Sequence, residues 1–288
     1  MANYKVVDAD KLDADLQTVA DAIKAKAGTE EAMEFPSGFA SAVESIETGG
    51  GADHTQEDGL IKGTLTEYTN DRVAIVRTYA FYRSSLKSVN LPSVRTAYER
   101  AFDNCGALVS VNMPSLKTWG TGLFNACKSL TSIHFPQLKY SASSTDSGHF
   151  YGCSKLKDCF LPNYEGMIYL TFNNCTALER ADLGRANSFY SGYAINGCQN
   201  LKSLILRKTE SICSLGSADS ITNTSLNAGG TGGTVYVPRA LIESYQTATN
   251  WSTLYAAGTC TFLALEDYTV DGTTTGEIDW DKINGGVS

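Results

Sequence analysis

Eight cysteines and three histidines are the residues of this chain best suited to chemistry. Cysteine and histidine hold zinc when they come in close pairs, and they act as nucleophile or base when a third group converges on them. Neither pattern is present. The closest cysteines, Cys153 and Cys159, are too far apart for a Cys-x-x-Cys motif. His54, His134 and His149 are scattered, and Asp146 with His149 sits on a polar stretch without the strand-to-helix elbow of a hydrolase nucleophile. No phosphate-cradling glycine loop or His-Glu-x-x-His pattern occurs, and the glycines of 229–233 read as a flexible turn before a strand. Asp267, Asp271, Glu277, Asp279 and Asp281 lack the spacing of a calcium loop. The residues therefore predict no catalytic centre, no metal and no cofactor.

The cysteines mark something else. Ala101-Phe102-Asp103-Asn104-Cys105 is followed by Leu108, Val111, Met113 and Pro114. Leu123-Phe124-Asn125-Ala126-Cys127 is followed by Leu130, Ile133, Phe135 and Pro136. The series continues with Phe150, Cys153, Leu156, Cys159, Leu161 and Pro162, then with Phe172, Cys175, Leu178, Ala181 and Leu183. Ile195, Cys198, Leu201, Leu204 and Leu206 extend it downstream, and Phe81, Leu86, Val89, Leu91 and Pro92 upstream. From Leu86 to Leu201 the first leucine recurs at steps of 22, 22, 26, 22 and 23, and the long step holds the polar insertion 141–147. A fixed period of this length is the mark of a solenoid, in which no unit buries its apolar face alone.

In Leu-x-x-Val-x-Leu the last two apolar residues alternate as on a short strand with one buried face. The pattern predicts one short parallel strand per turn, with Phe102, Phe124, Phe150 and Phe172 filling the interior on the opposite side. Cys105, Cys127, Cys153, Cys175 and Cys198 fall at the inward bend before each strand, where a small side chain with a weak donor suits a buried carbonyl. Cys159 takes an inward strand position, and Cys213 and Cys260 have no place in this ladder. The outward strand row is Asn90, Asn112, His134, Phe160, Asp182 and Ile205, and the candidate recognition residues are Tyr140, His149 and Tyr151 at the insertion together with Phe160. Tyr98, Tyr164, Tyr169, Tyr190 and Tyr193 in the turns between repeats suit the same role.

Composition agrees with a folded binding protein. Hydrophobic residues make up 42%, charged ones 19%, and the net charge is −8. Lys and Arg form no run, so nucleic acid is not an expected partner. No apolar stretch reaches the roughly 18–20 residues that cross a bilayer, and the first residues lack a secretory core, so no membrane insertion is expected.

The ends differ from the middle. Leu12, Leu16, Val19 and Ile23 form an apolar helical seam within 9–26, and a second helix after Pro36 aligns Phe39, Val43 and Ile46. Two such helices bury too little surface to be stable alone. Residues 1–47, with Phe35 as a further contact, are expected to dock or to oligomerise, a trimer being favoured. Residues 48–59 read as a linker, 60–238 as the solenoid, 239–265 as a cap in which Leu241, Tyr245 and Trp251 cover the last repeat, and 266–288 as an acidic tail.

The Phe-x-x-Cys-x-x-Leu-x-x-Val-x-Leu-Pro pattern resembles the BspA-like leucine-rich repeats over roughly residues 60–240. The resemblance implies an α/β leucine-rich-repeat solenoid, here preceded by a small N-terminal helical module. Ser84 or Ser85 near the first Cys position, Gly184 and Arg207 in place of proline, and Ile195 in place of Phe depart from the pattern. Leu12 through Ile23, with Gly28-Thr29 and Phe35 to Phe39, resembles a segment of virion proteins from phages of Gram-positive bacteria, as does 63–71. The run from Val235 to Pro238 with Asn250-Trp251-Ser252 resembles the terminal cap of such proteins. These resemblances imply a virion fibre or decoration protein that joins other virion proteins through its N-terminal module. Its solenoid would meet a host-surface protein or glycan. The alternative they leave is a bacterial cell-surface adhesin.

Overall fold

The computed structural model describes residues 65–284 apart from 142–147, 170, 191–193, 222 and 228–229. The chain divides into two units, Met1–Asp58 and Gly59–Ser288, and the described residues belong to the second. The docking contacts expected at Leu12, Leu16, Val19, Ile23, Phe35, Phe39 and Val43 lie outside the described residues.

The repeats form a parallel-strand solenoid. Three-residue strands at Glu67–Thr69, Ser88–Asn90, Ser110–Asn112, Ser132–His134, Asp158–Phe160, Arg180–Asp182 and Ser203–Ile205 stack along one side. Five-residue strands at Gly233–Val237 and Cys260–Ala264 continue this long row. It hydrogen-bonds as a three-stranded and a six-stranded sheet, and the Thr131 amide donates to the Val109 carbonyl across the join at 3.2 Å. Register is kept turn by turn, with Val89 opposite Val111, Ile133 opposite Cys159, and Ala181 opposite Leu204.

Beside the one long-row strand expected in each turn, seven of the nine described turns carry a second, shorter strand. A short row of two-residue strands begins at Ile75–Val76, Thr96–Ala97, Thr118–Trp119 and Tyr140–Ser141. It continues at Met167–Ile168, Ser188–Phe189 and Ser214–Leu215. The cause is the turn after each long-row strand. The Val94 amide donates to Leu91 O and the Leu116 amide to Met113 O, so Pro92 and Pro114 stand second in a β-turn that suits their fixed φ. Past that turn the chain runs extended again, with Val94 and Ala97 pointing inward.

The third side is built from consecutive turns. Cys105 N donates to Phe102 O and Leu108 N to Cys105 O, which is why Phe, Cys and Leu are spaced by three. The residue before each of the five ladder cysteines is left-handed: Asn104, Ala126, Gly152, Asn174 and Gly197 all have φ between 57° and 76°. Inside, Phe81, Phe102, Phe124, Phe150 and Phe172 form one column with successive centroids 4.9, 5.3, 5.7 and 5.4 Å apart, all four pairs stacked.

Each ladder thiol donates to the Phe carbonyl of the preceding turn. Cys105 reaches Phe81 O at 2.8 Å, and Cys127, Cys153, Cys175 and Cys198 reach Phe102, Phe124, Phe150 and Phe172 at 3.0–3.1 Å. Leu108, Leu130, Leu156, Leu178 and Leu201 are fully buried beside them. Burial pushes the Cys153 thiol up to about 12 and holds Cys127 and Cys175 well above the ordinary value.

At the C-terminal end the helices Ile242–Thr247 and Trp251–Ala256 bury Tyr245 and Trp251. Cys213 N donates to the Tyr245 hydroxyl at 2.7 Å, and Trp251 Nε1 donates to Cys213 O at 2.8 Å. Cys260 opens the last long-row strand. Cys213 and Cys260 are thus core residues of the closing turns.

Candidate recognition surface

Tyr140 and Tyr151, two of the expected recognition residues, stand 50% and 44% exposed. Tyr140 hydrogen-bonds the Glu165 carboxylate, which raises its pKa. His149 does not belong with them. It is fully buried, its ring stacked 4.0 Å from Trp119, and Tyr164 is buried against the same indole. Trp119 occupies the place that Ala97 holds one turn earlier, and the imidazole covers the broad face that the larger ring presents. Tyr98 and Tyr190 remain at the surface, 40% and 51% exposed.

The outward row of the long strands is polar and open at first. Asn112 Nδ2 donates to Asn90 Oδ1 at 2.7 Å, and exposed His134 meets the Phe160 ring edge-on at 6.3 Å. From Phe160 onward the row is covered, which corrects the expectation of outward exposure for Phe160, Asp182 and Ile205. Trp280 stacks on Phe160 at 4.8 Å, and Arg180, paired through two hydrogen bonds with Asp158, lies 4.6 Å over the Trp280 ring. Ile205 and Tyr236 are buried beneath Leu265 and Ile278.

Residues 266–284, expected as a polar tail, thus fold back over the strands as a strap. Thr269 and Ile278 bridge antiparallel, Val270 N donates to Glu277 O, and Asp279 N donates to Tyr268 O. At its tip the Thr273 amide and hydroxyl both donate to Asp271, holding that carboxyl below its usual range. Asp279 caps the short helix Trp280–Ile283 through the Lys282 amide.

One buried cation clamps the strap. Arg207 donates through Nε to both Asp182 oxygens, at 3.0 and 2.8 Å, and through Nη1 to Thr274 O and Gly276 O. Both members of the pair are almost fully buried. Arg207 stands where earlier turns have proline, so the departure from the repeat is a clasp. Gly184, the other departure, has φ +56°, and a Cβ there would sit 2.5 Å from Leu161 O. Neither role shows in the repeat pattern. The available signal was a basic residue at a turn position one repeat downstream of Asp182 on a strand.

Between strap and strands lies a cleft of about 520 Å³ whose lining includes His134, Phe160, Asn163, Arg185, Glu277 and Trp280. It joins aromatic and polar side chains without a nucleophile paired to a base, an arrangement suited to holding a ligand. Among the described residues no group of three His, Cys, Asp or Glu side chains is placed to hold a metal, and no helix is long and apolar enough to cross a membrane.

These features define a leucine-rich-repeat solenoid with a strap closed over its late strands. The family model for the BspA type leucine-rich-repeat region matches six copies over residues 67–168 and 137–224, more than half of the chain. The chain belongs to that family. No curated protein matches it significantly. A Treponema pallidum leucine-rich-repeat protein shares 24% identity over 50% of this chain and 67% of its own, with a TM-score of 0.40. One from Eubacterium ventriosum shares 21% over 57% of this chain and 44% of its own, with a TM-score of 0.45. One from Bacteroides ovatus shares 20% over 74% of this chain and 63% of its own, with a TM-score of 0.30. The chain thus spans less than two thirds of the second and third.

Proposed function

We propose that the chain is a recognition protein of a phage particle. Residues 1–47 join it to other virion proteins as a homo-oligomer, a trimer by preference. The solenoid contacts a protein or glycan of the host surface, with Tyr140 and Tyr151 among the contacts. The binding role rests on one observation above all. The eight cysteines and His149 are spent on the interior, while the open surface carries amides, hydroxyls, cations and tyrosines. The assignment to a virion rests on the resemblance of 12–39 and 63–71 to phage proteins.

Two measurements on the full-length chain test this reading. Light scattering should give a trimer that Leu16→Asp with Ile23→Asp converts to monomer. Antibodies against the chain should label particles released from an induced producer culture. Labelling of the cell envelope with particles bare would replace the virion with the bacterial surface, and a wild-type monomer would remove the oligomer.

A further inference from the structure

We propose that the short row of the second to fourth turns binds a linear, carboxylate-bearing polysaccharide through Arg95, Lys117 and Lys139. The proposal rests on the host-surface reading above and names the chemistry of one partner.

The charge of this acidic chain is unevenly placed. Residues 65–140 hold nine Lys and Arg against four Asp and Glu. Residues 1–64 hold five against thirteen, and residues 141–288 nine against fourteen. Within the basic stretch the fold aligns three cations. Lys117 N donates to Arg95 O at 2.8 Å and Lys139 N to Lys117 O at 2.9 Å, so the three occupy one repeat position on successive rungs. Neighbouring strands lie ~4.8 Å apart, which sets the spacing of the charges. All three side chains are exposed. Among the described residues Arg95 and Lys117 have no ion-pair partner, and Lys139 meets Glu165 only at 3.9 Å. The same position is Ala74 one turn earlier and Glu165 one turn later, so the ridge has two defined ends.

The surroundings select the ligand. Beside the cations run the outward side chains Thr96, Thr118 and Tyr140, with the Thr118 hydroxyl donating to Thr96 at 3.0 Å. Tyr98 and Tyr140 add exposed ring surface. A ridge of cations at rung spacing lets uronate residues of a bound chain place their carboxylates along it. Their hydroxyls then meet the threonines, and their C–H faces the tyrosines. Charged hydrogen bonds from Lys and Arg to carboxylate are the stronger kind, and a chain engaging three rungs gains from linkage. Each strand of duplex DNA carries a charge every ~3.4 Å of helix axis, out of step with the rungs.

Polygalacturonate titrated against the full-length chain tests this. The wild type should bind it in preference to neutral dextran, with affinity falling as salt rises. Lys117→Glu should weaken binding about tenfold or more, and Lys117→Gln should lower the salt slope by roughly one. Lys202→Glu, at an exposed position in the acidic half, should leave binding unchanged. Three results would overturn the proposal: no binding by the wild type, equal loss from Lys202→Glu, or equal affinity for duplex DNA. Lys117→Glu should not alter the light-scattering mass, so failure here would leave the oligomeric virion reading standing.

Discussion

At the outward position of the long row, Asn90, Asn112 and His134 meet solvent, whereas Asp182, Ile205 and Tyr236 lie under the strap of residues 266–284. The backbone register is the same in both regions. What differs is the side chain at one repeat position: amides in the early turns, an acid and apolar groups in the late ones. The repeat therefore fixes where a residue points, and the residue decides whether that face stays open. A polar open face suits a partner that comes and goes. The late turns have spent theirs on an internal one.

The sharpest way to break this comparison is to remove one polar group from each region. Arg207→Ala leaves Asp182 buried without its partner, which costs about 3–5 kcal/mol, and it frees the carbonyls of Thr274 and Gly276. Asn112→Ala removes an exposed hydrogen bond and should fall within about 0.5 kcal/mol of wild type. Urea denaturation reads both changes, and quenching of Trp280 fluorescence reports whether the strap has lifted. If the two substitutions cost the same, the strap is only surface decoration.

Alkaline pH gives the next largest effect, weighted towards the closed half. Burial pushes Cys153, Cys213 and Cys260 up to about 12, from an ordinary value near 9. A pKa raised in the folded state means stability that is complete below pH 9 and lost as pH climbs towards 12. Each such thiol contributes a slope of about 1.4 kcal/mol per pH unit in that window. Cys260→Ala should flatten the fall in urea midpoint between pH 9 and 11, and an unchanged slope would show that this thiol does not carry it. At pH 8 the eight thiols, all buried, should resist alkylation until the chain unfolds.

The same contrast marks what could be read before folding. The Phe column and the thiol ladder follow from the 22-residue step, because stacking forces equivalent residues into contact. The strap was hidden because its acids outnumber the few apolar residues, Tyr268, Ile278 and Trp280, that bury it. His149 beside the polar insertion reads as surface, and its burial depends on a single indole in place of an alanine. The short row was illegible because two residues are too few for an alternating pattern. Arg95, Lys117 and Lys139 form no run along the chain, and only counting by the repeat brings them together.

The smallest effect probes what both regions share, the left-handed residue before each thiol. Ala126 holds φ +57° with a Cβ, whereas Gly152, one turn on, holds φ +72° with open space where a methyl group would stand. Left-handed backbone costs a non-glycine residue on the order of 1 kcal/mol, and glycine returns part of this through its freedom in the unfolded chain. Ala126→Gly should therefore stabilise the fold by about 0.5 kcal/mol, and Gly152→Ala should destabilise it by about 1 kcal/mol. Neither substitution touches the Phe column or the thiol bonds, so the pair isolates backbone strain from packing. Opposite signs in the two denaturation midpoints would show that the spine tolerates local strain in the open half for the sake of register. Equal signs would mean that the turn relaxes, and that the ladder is softer than its hydrogen bonds imply.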